Sequence, residues 1–142
     1  MLGNQLILGT LMVVVTVIVH ICGLLWLTDI LRRRLAGRMN RLHRGHGVVL
    51  ASVAVFWILL LHTVEAWMWA ALYLGFGEFP DLSTALYFSV ATSTTLGYGD
   101  LLLSEQWRLL GTFEAMAGFI LFGASTAYLL EVLRRSFFQE EH

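Results

Sequence analysis

Three long apolar runs constrain this chain more than any other feature. A helix needs about 20 mostly apolar residues to cross the hydrocarbon core of a bilayer. The first run extends from Leu6 to Ile30, the second from Val48 to Leu74 and the third from Trp107 to Leu133. A water-soluble domain needs more polar surface than this chain offers, since 58% of its residues are hydrophobic and 13% charged. The expected fold class is an all-α membrane protein with three transmembrane helices. The first run reads as a retained span. Met1 to Gln5 hold no basic residue, and the run outlasts a signal-peptide core.

The net charge of −1 hides a strong segregation. Every basic residue other than histidine is arginine. Arg32, Arg33, Arg34, Arg38, Arg41 and Arg44 lie between the first two runs, Arg134 and Arg135 follow the third, and Arg108 stands alone on the other side. The positive-inside rule puts the N-terminus outside and the C-terminus in the cytoplasm, and Trp67, Trp69 and Tyr73 are then expected in an outer aromatic belt. In the basic connection, 31–47, Leu31, Leu35, Met39 and Leu42 would form one apolar stripe on a helix. Two readings stay open. The connection is an interfacial helix whose Arg32–Arg44 segment attracts anionic lipid headgroups, or a topology signal with a helical extension of the first span. The lone Cys22 excludes a disulfide within the chain.

A shorter element separates the second and third runs. Pro80 breaks the chain, and Asp81 suits the N-cap of a helix from Leu82. Leu82, Ala85, Leu86, Ser89 and Val90 fit one face of it. The helix gives way to Thr92-Ser93-Thr94-Thr95 and then to Gly97 and Gly99. Non-helical backbone at membrane depth is tolerated only where it is buried in protein or lines water. A re-entrant pore element is expected here. A cation that sheds its water needs other oxygens, and backbone carbonyls supply them if they all point one way. That requires alternating unusual dihedrals, which glycine tolerates. The helix C-terminus aimed at the same place favours cations.

The segment Thr94-Thr95-Leu96-Gly97-Tyr98-Gly99-Asp100 resembles the potassium-channel signature, a carbonyl-lined filter. The likeness covers Phe79 to about Arg135 and the span before it. It implies a pore domain over 48–135, with an outer helix 48–74, a pore helix 82–94, a filter strand 95–100 and an inner helix 107–133. Residues 1–30 would be a peripheral transmembrane helix and 136–142 a short cytoplasmic tail. By the same resemblance, Thr95, Leu96, Gly97 and Tyr98 coordinate K+ and Gly99 completes the outer mouth. Thr94, Asp100 and Tyr87 support the filter, and Gly118 or Gly123 is the inner-helix hinge, although close helix packing explains those glycines equally well. One filter strand per chain implies a homotetramer, each chain meeting three identical subunits. Two positions depart from the pattern. Leu96 replaces the commoner valine, and Ala91 stands where some members carry a glutamate that pairs with the aspartate after the filter.

Intramembrane ionisable residues are functional candidates by default. Glu114 is expected to hydrogen-bond pore-helix hydroxyls or backbone and so to offset Ala91, or else to reach interfacial water. His62 and Glu65, three apart, make a structural pair or a pH sensor. His20 reads as a packed or hydrogen-bonded residue, and His43 and His46 lack partners for a metal. Glu131 with Arg134 and Arg135 reads as interfacial ion pairing. The first run lacks the periodic arginines of a voltage sensor. No nucleophile–base pair, phosphate loop or zinc spacing appears, so no enzyme, no cofactor beyond filter K+ and no nucleic-acid partner is expected. The absence of lysine and the minimal architecture point to a bacterial inner (plasma) membrane. The functional expectation is passive, potassium-selective conduction. The alternatives are a weakly selective or poorly conducting homologue, or a non-conducting membrane regulatory subunit.

Overall fold

The computed structural model describes residues 2–35 and 44–137, which form four helices and no strand. These are α1 (Leu2–Leu35), α2 (Arg44–Gly75), α3 (Leu82–Ser93) and α4 (Arg108–Phe137). Three stretches are long and apolar enough to cross a membrane: Leu2–Arg33, Gly47–Gly75 and Arg108–Arg135. α1 and α4 outrun their apolar runs at the C-terminal ends, where leucine and arginine are good helix formers and no proline interrupts them. A helical extension of the first span therefore accounts for Leu31–Leu35. Residues 36–43 of the basic connection, with Arg38, Met39, Arg41, Leu42 and His43, lie outside the described residues, and 44–47 begin α2. The lipid contact expected in the connection and tail residues 138–142 also lie outside the described residues.

α1 packs against both α2 and α4. Two glycines allow the close approach: Gly9 takes the Phe113 ring of α4 against its backbone, and Gly23 takes the Leu61 side chain of α2. Trp57 Nε1 donates to the Gly23 carbonyl at 3.0 Å. Gln5 Oε1 accepts from the Leu109 N–H at 3.1 Å, satisfying a first-turn amide of α4 that has no intrahelical partner.

The main core lies where α2, α3 and α4 meet. Trp69, Tyr73, Phe79, Phe88, Leu103 and Leu110 are all buried there. Tyr73 meets Phe88 and Phe79 edge-on, with ring centroids 5.3 and 6.2 Å apart. This corrects the expected aromatic belt. Trp67 is exposed, but Trp69 and Tyr73 are core residues, because α3 folds back and covers their face of α2.

α3 starts where the N-cap signal puts it. Asp81 is extended (φ −152°), and its Oδ1 accepts from the Thr84 N–H at 2.9 Å. That bond, with a second from the Thr84 hydroxyl, holds the Asp81 carboxyl below the usual carboxylate range. The buried face of α3 is Ala85, Phe88, Ser89 and Ala91, whereas Leu82 and Val90 are exposed. The face expected from sequence is thus turned, because Phe88 anchors the helix in the aromatic core.

Candidate functional site

Residues 94–100 leave the C-terminus of α3 and form neither helix nor strand. Thr94 is the C-cap, and its hydroxyl donates to the Val90 carbonyl at 2.7 Å. Beyond it, φ is positive at every second residue: Thr95 (58°), Gly97 (49°) and Gly99 (77°). Such alternation cannot make a β ladder, which is why the expected strand is absent. Glycine adopts these values freely. Among the described residues Thr95 is the one non-glycine in this region of backbone space, a conformation that costs about 1–3 kcal/mol. The Thr95 N–H donates to the Thr92 carbonyl at 2.9 Å, and the Gly97 N–H donates to Ala91 at 3.0 Å. The segment therefore doubles back over the end of α3. The side chains of Leu96 and Tyr98 are 55% and 70% exposed in the single chain.

One polar contact braces this segment directly, and a second holds α3 beneath it. The Tyr87 hydroxyl donates to Asp100 Oδ2 at 2.8 Å, tying α3 to the end of the irregular segment. Glu114 of α4 is fully buried. Its Oε2 accepts from the Tyr73 hydroxyl at 2.6 Å, and its Oε1 pairs with Ser89, whose hydroxyl also lies 2.9 Å from the Ala66 carbonyl. One carboxyl group thus joins α2, α3 and α4. It holds α3 and makes no hydrogen bond to residues 95–100. Across the surface, Glu78 accepts from the Ser104 N–H (2.7 Å) and hydroxyl (2.8 Å), and Phe76 stacks on Trp107 at 4.2 Å. These contacts join the loop before α3 to the loop before α4.

The Asp100 hydrogen bond raises Tyr87 above the ordinary tyrosine range. Only the neutral phenol donates, so the link is intact below the ordinary range and is lost as pH rises through the raised one. A spectrophotometric titration of wild type against Tyr87→Phe should locate the missing component above that range. A component missing from within the ordinary range contradicts the link.

The two candidate glycines have different surroundings. At Gly118, α4 crosses the end of α3 so closely that a Cβ would overlap the Ser93 carbonyl. At Gly123 a Cβ would meet nothing within 4 Å. Close packing accounts for Gly118 and leaves Gly123 unexplained by contacts.

The expected pairing of His62 with Glu65 is present, and His20 and Ser125 join it, which sequence reasoning did not foresee. His20 Nδ1 lies 2.7 Å from Glu65 Oε1, and His62 Nδ1 lies 3.1 Å from Oε2. The two Nε2 atoms lie 2.9 and 3.2 Å from Ser125 Oγ. The available signal was polar residues recurring on one side of α1: Gln5, Thr16 and His20 are all buried in an otherwise apolar helix. At the far end of α4, Glu131 pairs with Arg135 at 2.6 Å, an exposed i,i+4 bridge of small energetic weight.

The sequence from 48 to 135 matches the model of an ion-channel family. The chain belongs to that family. The match covers α3 and almost all of α2 and α4, and leaves α1 outside. No curated protein and no solved structure matches the chain. With its three membrane-length helices, the channel is a membrane protein of transport type rather than an enzyme by family.

Proposed function

We propose that four copies of this channel subunit assemble around a common axis and conduct potassium passively through rings of backbone carbonyls at Thr95, Leu96, Gly97 and Tyr98, with Gly99 at the outer mouth. The observation that carries this reading is the alternation of positive φ at Thr95, Gly97 and Gly99. Alternating backbone of this kind turns successive carbonyls toward the same side, which a dehydrated cation requires. A single strand of carbonyls half-surrounds nothing, so closed cyclic symmetry is the natural completion. The exposed side chains of Leu96 and Tyr98 agree with this, since neighbouring subunits would cover them.

In this reading Asp100 and Tyr87 brace the outer end of the filter, and the C-terminus of α3 directs partial negative charge at the axis. α4 lines the inner pore, with Gly123 as the gating pivot. The arginine distribution orients the N-terminus outside and the C-terminus in the cytoplasm of a bacterial plasma membrane, with Arg32–Arg44 near anionic headgroups. Native mass spectrometry of the detergent-solubilised chain should give a tetramer. Under bi-ionic conditions, planar-bilayer currents should reverse near the potassium value. Another stoichiometry, or reversal near the sodium value, contradicts the proposal.

A further inference from the structure

We infer that His20, His62 and Glu65 form a site for a divalent transition metal, zinc by preference, that fastens α1 to the pore-forming helices. The site is distinct from the filter segment and does not depend on potassium selectivity.

Four side chains from three helices meet here. His20 is fully buried on α1, Glu65 and the partly buried His62 lie on α2, and Ser125 is buried on α4. Their potential ligand atoms, one each from His20, His62 and Glu65, lie within 4.8 Å of one another. Both Nδ1 atoms face the same carboxylate, one to each oxygen, and both Nε2 atoms converge on one hydroxyl.

Counting hydrogens shows what these contacts lack. Each of the four contacts needs one hydrogen. The Ser125 hydroxyl and two neutral imidazoles bring one each, and ionised Glu65 brings none. The set therefore closes with one further positive charge, either a proton on one imidazole or a metal ion. Ser125 Oγ has two lone pairs, matched to two Nε2–H donors. When both Nε2 atoms carry the hydrogen, both Nδ1 lone pairs point at the carboxylate and repel it. A metal between them turns that repulsion into coordination. Two imidazoles and a carboxylate are a zinc donor set that leaves one position open. Tetrahedral bonds of about 2.0–2.2 Å put neighbouring ligand atoms about 3.4 Å apart, so the nitrogen–oxygen separations of 2.7 and 3.1 Å open when the metal enters. Ser125 then plays the part that outer hydrogen-bond acceptors play in metal sites, fixing each imidazole through its other nitrogen.

The other polar groups nearby belong to a separate set. Thr16 of α1 donates to its own helix, and Glu114 is engaged with Tyr73 and Ser89. A cavity of about 10 Å³ between Glu65 and Glu114 has room for one water molecule. His62, stacked on the partly exposed Phe122 at 4.3 Å, is the most accessible member and marks the way in.

Co2+ is the probe. The purified full-length chain, untagged and stripped with a chelator, should take up one Co2+ per chain. A tetrahedral visible absorption band should appear and be displaced by Zn2+. Zn2+ should also raise the thermal unfolding midpoint. His20→Ala and Glu65→Gln should abolish the band, and Ser125→Ala should weaken binding about 10-fold. His20→Gln keeps hydrogen-bonding groups in place. It should lose the metal while retaining the wild-type circular dichroism, which separates loss of the site from loss of the fold. Three results would overturn the site: no stoichiometric uptake by the wild type, a band unchanged in His20→Gln, or a ring whose stability responds to pH but not to metal.

Discussion

Gly118→Ala is expected to be the most disruptive one-carbon change in the chain. The new Cβ would overlap the Ser93 carbonyl, and this atom belongs to backbone at the end of α3, so no side chain can swing aside. Relief requires α3 and α4 to separate, and overpacking of this kind costs about 1–3 kcal/mol or more. The displaced end of α3 is also the point from which residues 95–100 depart, so ion flux should fall with stability. Gly123→Ala is the matched control. Its Cβ meets nothing, and replacing helical glycine by alanine should stabilise the helix by about 0.8–1 kcal/mol. Thermal unfolding in detergent should rank Gly118→Ala well below wild type and Gly123→Ala at or above it. Equal midpoints for the two variants would mean that α3 and α4 do not approach as described. If Gly123 is the gating pivot, its alanine variant should keep its stability and show altered open probability.

Glu114→Ala should be the second severe change. The substitution leaves the buried Tyr73 hydroxyl without its acceptor and opens a space among three helices. An unsatisfied buried hydroxyl and the cavity together should cost about 2–4 kcal/mol. Glu114→Gln should be far milder in stability. The amide oxygen accepts from Tyr73 and the amide NH2 donates to Ser89, which then donates to the Ala66 carbonyl. Unfolding midpoints of the pair decide the matter. A glutamine variant as unstable as the alanine variant would show that charge, not hydrogen-bond satisfaction, holds α2, α3 and α4 together.

Features that follow from local chemistry were legible in the sequence. The three spans follow from the length of each apolar run, and the start of α3 follows from Pro80 and Asp81, because each rests on residues contiguous in sequence. Glu114 was legible in part. A carboxylate inside a span needs a partner, and the hydroxyl-bearing Ser89 of α3 is one of them, but Tyr73 came from the residues assigned to the belt. Features that depend on how the helices turn toward one another were not legible. A tryptophan near a span end looks the same whether lipid or α3 covers it, so Trp69 and Tyr73 were misplaced. The buried face of α3 is decided by where Phe88 finds a pocket, not by its own periodicity. The meeting of His20 with Glu65 joins residues 45 positions apart, and nothing in the spacing of either helix fixes their relative height. The irregular backbone at 95–99 lies between these cases. The glycines announced positive φ at 97 and 99, but threonine does not announce it at 95.

The central claim is selective potassium conduction through residues 95–99. Its most direct test is flux from liposomes containing the purified chain and loaded with potassium, measured with potassium or with sodium as the permeant ion and with barium as blocker. Rapid potassium efflux, little sodium flux and block by barium are expected. Equal fluxes of the two ions, or no barium-sensitive flux from a folded tetramer, would contradict it.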